Sequence, residues 1–197
     1  MRPMNGKIFI SYSWTEPSGS IVNNWLKPCL KDAGITCMID KDDCGYNANI
    51  DKFEAEIVNA AKVILVVSLP FLTSLDCMYE ASLAVSKCDV EKQIFLINLP
   101  AYNFRADSEG LLLSTASFFT QKKAEEEELL LKIADAAKGP VKKRLRMVNT
   151  ILDNLNKLWD MLGSKNSGEL AVVSQDGFKM LCDNIKESLS GFICDNS

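Results

Sequence analysis

The sequence predicts a doubly wound parallel α/β sheet. Three observations carry that prediction. Apolar runs of strand length alternate with segments of helical periodicity four times within the first hundred residues. The run "VILVVS" (63–68) is apolar on both faces, as strands covered by helices on either side are. The stretches "KIFISYS" and "VILVVSLPFLTS" pass from apolar to polar at their carboxyl ends, where sheets of this class bind ligands.

Each element follows from local pattern. Lys7 to Ser13 reads as the first strand, with Ile8 and Ile10 buried. Val22, Trp25, Leu26, Cys29, Leu30 and Ala33 then recur at helical spacing, and Gly34 closes that helix as a C′ residue. Pro28 inside it predicts a kink. "ITCMID" (35–40) is a second strand, and the polar "KDDCGYNAN" with Gly45 is a loop. A helix is expected from Ile50 to Ala61, a third strand over 63–68, a helix from Ser74 to about Lys87, and a fourth strand, "QIFLINLP", ended by Pro100. Two helices joined at Gly139-Pro140 come next. In the second of them Val141, Leu145, Val148, Leu152, Leu155, Trp159 and Leu162 step by four and three, a heptad seam. That seam serves either an intramolecular hairpin laid on the sheet or a self-association surface. "ELAVVS" (169–174) reads as a fifth strand, before a closing helix with Phe178, Leu181, Ile185 and Leu189 on its inner face. The whole is a flavodoxin-like, five-stranded parallel sheet in one domain over 1–197, with a helical insertion over 122–163 before the last strand.

Composition removes several function classes. The 197 residues are 47% apolar and 24% charged, an ordinary globular mix. The net charge of −4 offers no basic field for nucleic acid or anionic lipid. No run reaches membrane-spanning length, and "MRPMNGKIFISYS" is too short in its apolar part for a secretory signal, so a cytoplasmic location is expected. The seven cysteines include no C-x-x-C pair, which fits reduced thiols. The chain has no histidine, which excludes Ser-His-Asp and Cys-His nucleophiles and His-ligated metals. Phosphate-cradling glycine loops are missing as well. Asp40, Asp42 and Asp43 alone suggest a Mg²⁺ site, but strand one ends in Ser11, Tyr12 and Ser13 rather than in the acids such a site needs.

The stretch "SLPFLTSLDCMYEAS" sets one carboxylate, Glu80, in an apolar helical run, with Ser74 and Cys77 at three-residue steps before it. Together with "FISYSW" and the segment "GITCMIDKDDCGYNANIDKFEAEIVNAAKVILVVS", it resembles three boxes of the Toll/interleukin-1 receptor (TIR) domain family, in its bacterial or stand-alone style. Ser68, Ser74, Cys77 and Glu80 fall in register with the family's S-x-x-y-x-x-S-x-x-C-x-x-E box, over about residues 7–100, with a weaker echo in 169–193.

The resemblance implies an enzyme that cleaves NAD at the nicotinamide–ribose bond, giving ADP-ribose or a cyclic isomer. Such enzymes switch on by self-assembly and signal in immunity, antiphage defence or cell death. NAD enters as substrate, with no cofactor or metal, and other TIR domains are the expected partners, as a homo-oligomer. The catalytic acid maps onto Glu80. Ser11, Tyr12, Ser13, Trp14, Tyr46, Phe71, Ser74, Cys77 and Tyr79 are the candidate substrate contacts. Enzymatic members often carry an aromatic residue four positions before the acid; here that position is Asp76. The chemistry suits the composition. Nicotinamide leaves as a neutral base from a cationic pyridinium, so no general acid is needed, and one carboxylate can steady the oxocarbenium-like state. Two other readings stand beside this one. A non-catalytic TIR adaptor or decoy would act by docking alone, and a nucleoside deoxyribosyltransferase-like enzyme would share fold and carboxylate chemistry. Residue by residue, Ser74 also suits a helix N-cap and Cys77 a small buried apolar side chain.

Overall fold

The central strands are buried along their whole length. In the computed structural model, which describes residues 7–39, 50–99, 108–163, 167–169 and 178–194, β1 (Ile8–Tyr12) and β3 (Lys62–Val67) bury every residue. With β2 (Cys37–Ile39), β4 (Ile94–Asn98) and β5 (Ser167–Glu169) they form a parallel sheet in the order β2-β1-β3-β4-β5. Ser11 pairs with Leu65 across β1 and β3, and Val67 with Asn98 across β3 and β4. The chain leaves β1 for one side of the sheet and returns on the other, so the switch point lies between β1 and β3.

Alternate side chains supply two cores, as period two demands. Phe9, Val63, Leu65, Val67, Ile94 and Leu96 face one way; Ile8, Ile10, Tyr12, Ile64, Val66 and Ile97 face the other. The second face is closed by α1 and by α8 (Lys179–Cys194), through Val22, Leu26, Leu30, Leu181 and Ile185. Helix α1 is regular over Ser18–Ile21 and Lys27–Asp32 and widens to a π turn over Val22–Leu26. The Lys27 N–H reaches five residues back, to the Val22 carbonyl, just before Pro28 withholds its own donor. The expected kink is therefore a π turn. The smaller angular step per residue there carries Trp25 off the apolar face, and that indole is 63% exposed rather than buried. Gly34 ends the helix at φ 74°, with Ile35 N–H on the Leu30 carbonyl and Gly34 N–H on Lys31, a Schellman closure.

The first face is covered by α4 (Leu75–Lys87) and, outside it, by a helical pair. Helix α2 (Ile50–Asn59) precedes β3, the single turn α3 (Leu69–Thr73) lies between β3 and α4, and α5 (Val90–Gln93) leads into β4. The pair is α6 (Ser108–Lys132) and α7 (Lys138–Leu162). Its bounds differ from those expected. Helix α6 begins at Ser108, well before residue 122; its apolar residues keep no single face, with Leu113 and Leu131 exposed, so the sequence gives no periodic signal for that start. Gly139 and Pro140 lie in the first turn of α7 rather than at a joint, since a proline there forfeits no helical bond. Val148, Leu155, Trp159 and Leu162 of the seam are buried in the core with α4 and α6, Val141 is buried as well, and Leu145 and Leu152 are half-buried, so most of the seam packs within the chain. Arg144 clasps Glu126 with two bonds of 2.6 and 2.9 Å, joining α7 to α6. The last strand pairs through Ser167–Glu169, ahead of the expected 169–174, and 170–177 lie outside the described residues.

Candidate functional site

A buried carboxylate marks the carboxyl edge of the sheet. Ser68 ends β3 and caps α3, accepting the Phe71 N–H at 3.3 Å. One turn later Ser74 caps α4, accepting the Cys77 N–H at 3.3 Å. The two caps fix where α4 starts and set Glu80 in its second turn. There the helix is enclosed by the sheet and by α7, and Cys77 through Val85 are all buried. Glu80 is only 4% exposed. A solvated surface acid is excluded by that figure. Carboxylates are seldom buried so fully, because leaving water costs several kcal/mol (roughly) unless the protein supplies compensation.

Polar groups of the neighbouring strands meet the same sheet face. Ser11 follows Phe9 by two residues and so shares the face against which α4 packs. Asn98 shares it by the same count from Ile94 and Leu96. The Ser11 hydroxyl and the Asn98 side-chain oxygen Oδ1 are buried without a hydrogen-bond partner among the described residues, as is the Ser82 hydroxyl on α4. Buried polar atoms left so are rare. On the rim, Ser13 Oγ and Thr15 Oγ1 are 2.8 Å apart, and Trp14 is half exposed. The Ser18 hydroxyl donates to Ser68 Oγ at 3.2 Å, tying the start of α1 to the end of β3. Gly19 lies so close to the rim that a Cβ there would meet the Trp14 carbonyl at 3.2 Å.

The expected contacts therefore separate. Glu80 and Ser11 belong to the enclosed face, and Ser13 and Trp14 to the rim. Tyr12 lies in the opposite core, while Phe71, Cys77 and Tyr79 are core members beneath the helices. Ser74 uses its hydroxyl as a cap. Tyr46, Gly45 and the acids at 40, 42 and 43 lie outside the described residues. Asp76, where the family resemblance leads one to look for an aromatic ring, is exposed in the first turn of α4. Partial desolvation raises its carboxyl above the usual range, and Lys143 of α7 pulls it back. Sequence reasoning missed Asn98, Ser18 and Ser82. The signal for Asn98 was present, as the one polar side chain within "IFLIN". Among the described residues no three His, Cys, Asp or Glu side chains gather to hold a metal ion, and no helix is long and apolar enough to cross a membrane.

Comparison with known proteins bears on the whole of this region. No curated protein matches the chain. Among solved structures, the TIR domains of the activated Roq1 resistosome directly recognizing the pathogen effector XopQ align at 16% identity, over 94% of this chain and 98% of that one, with a TM-score of 0.49. A family model described as TIR domain matches residues 8–136, from the first residue of β1 through α4 and α6 and past Glu80. That match covers more than half of the 197 residues, and the chain belongs to the TIR domain family.

Proposed function

We propose that the chain is a TIR-type NAD glycohydrolase, or a cyclase, that cleaves the nicotinamide–ribose bond and acts in immune or cell-death signalling once assembled with other copies. The single observation that supports this most is the burial of Glu80, at 4% exposure, on a helix at the carboxyl edge of a TIR sheet. In this reading Glu80 accepts hydrogen bonds from the ribose hydroxyls and offsets the positive charge that grows on the ring as nicotinamide departs. The Glu80 carboxylate is already stripped of water, so its field on the sugar is not diluted by solvent. Ser11 Oγ and Asn98 Oδ1 offer one donor–acceptor hydroxyl and one acceptor to the polar substrate. The cation is then trapped by water, giving ADP-ribose, or by a nucleophile of the same dinucleotide, giving a cyclic isomer.

The test is release of free nicotinamide from NAD at high protein concentration, with Glu80→Gln as the paired variant. Release by the wild type and not by the variant supports the reading. Turnover of deoxynucleosides instead would favour the deoxyribosyltransferase chemistry. A non-catalytic docking role is the second reading, and it draws on the exposure of Trp14 (53%) and Trp25 (63%), two large rings offered to solvent. Binding to a TIR partner that persists in Glu80→Gln, with no nicotinamide released by the wild type, would support it.

A further inference from the structure

Two thiols from opposite ends of the chain touch beneath the second sheet face. Cys29 lies in the last segment of α1 and Cys182 in the first turns of α8, 153 positions later, and their sulfurs are 2.8 Å apart. Both are free. An S–S bond is about 2.0 Å long, so closing one here asks for a shift on the order of 1 Å. The surroundings hold the pair in register. Leu26 and Leu30 on α1 and Leu181 and Ile185 on α8 flank it in one apolar cluster, each less than a tenth exposed. The two sulfurs differ in access. Cys29 is half-buried, whereas Cys182 is 2% exposed. Burial, followed by the adjacent Cys29 thiol, pushes the Cys182 thiol up to about 12, so it keeps its proton until it reacts. Cys88, by contrast, points its thiol at the Ile57 carbonyl, 3.9 Å away.

We propose that Cys29 and Cys182 form a thiol–disulfide site, at which a low-molecular-weight disulfide of the glutathione class oxidises the pair and ties α8 to α1. The accessible Cys29 attacks first, as thiolate, on one sulfur of the small disulfide. That S–S bond breaks, a mixed disulfide forms on Cys29, and one small thiolate leaves and takes up a proton. Cys182 then gives up its proton and attacks Cys29 Sγ; the mixed disulfide breaks and the second small thiol departs. Two protein thiols are oxidised and one small disulfide is reduced to two thiols, so electrons balance. The second step is favoured by placement, since the resolving sulfur is already in contact. The reaction lies on the sheet face opposite Glu80 and does not depend on NAD cleavage.

The folded protein is equilibrated with oxidised glutathione, quenched in acid with an alkylating reagent, and mapped by mass spectrometry without reduction. The expected product has lost two hydrogens and yields a linked peptide pair containing Cys29 and Cys182. The link disappears on adding dithiothreitol. It is absent in Cys29→Ser and in Cys182→Ser, each first checked for native circular dichroism. The bridge spans 153 positions, so the oxidised form should melt on the order of 5–10 °C above the reduced one. Repeating the oxidation in denaturing urea should scatter the pairing among the seven cysteines. The proposal is overturned if both thiols alkylate fully in oxidised glutathione, if Cys29 stops at the mixed disulfide, or if the folded protein links other cysteines instead.

Discussion

Glu80 is the residue on which the proposed chemistry turns, and its neighbours can be separated from it by their effects. Glu80→Gln keeps the shape and removes the charge. It should lower nicotinamide release by roughly 10²–10³-fold in a protein that still melts as a folded domain. Steady-state kinetics and calorimetry on one preparation check both. Ser11→Ala removes a hydroxyl that has no hydrogen-bond partner among the described residues, so stability should change by less than about 1 kcal/mol, while the KM for NAD rises. Ser74→Ala should behave in the opposite way: it loses a helix cap worth about 1 kcal/mol and leaves the reacting atoms alone. Glu80 was legible because a box of spaced residues points to it. Asn98 stood out only as the one polar side chain of an apolar strand, with no spacing to tie it to a site, and the packing shows which face it takes. The same holds for Tyr12, Phe71 and Tyr79, whose rings the packing assigns to the cores.

Among the elements, β1, β3 and β4 were read from sequence with small error because both their faces are buried and the apolar run is nearly continuous, whereas the fifth strand was expected over 169–174 and pairs through Ser167–Glu169. The misreadings have physical causes. A π turn before Pro28 changes the angular step of α1 and turns Trp25 outward. Helix α6 mixes exposed and buried apolar residues along its length, which hides its start. The seam of α7 was read with its partner left open, and its burial against α4 and α6 shows where it is used. Ile151, fully buried there, should cost about 2–5 kcal/mol when cut to alanine, measured by urea unfolding. Replacing Leu152 and Leu155 by aspartate should unfold the helical pair rather than change oligomer size, as read by circular dichroism and light scattering. Strand β3 opens on Lys62, 1% exposed, which donates to the Lys92 carbonyl at 2.5 Å. Burial lowers its pKa from 10.5, with Asp89 opposing. Its ammonium is thus disfavoured in the folded state, and in the window below 10.5 the unfolded chain binds more protons than the native one. Stability from this group should therefore rise with pH as 10.5 is approached from below, and Lys62→Met should remove that rise in unfolding curves taken across the window.

Across the whole molecule, one sheet carries two differently built sides. The side under α4 and α7 holds the buried acid and the orphaned polar atoms, while the side under α1 and α8 holds the paired thiols. The parallel sheet and the family were visible in the sequence, since alternating runs and three ordered boxes survive at low identity. The long helical pair between β4 and β5 was visible only in outline. We read it as an elaboration that walls off α4 from solvent and so helps to bury Glu80. The central claim is that this buried carboxylate cleaves NAD, and the most direct measurement is free nicotinamide released from NAD by concentrated wild-type protein beside Glu80→Gln. The account predicts release by the first and loss of release in a folded second. Equal release by both, or none by a wild type that still binds other TIR domains, would contradict it.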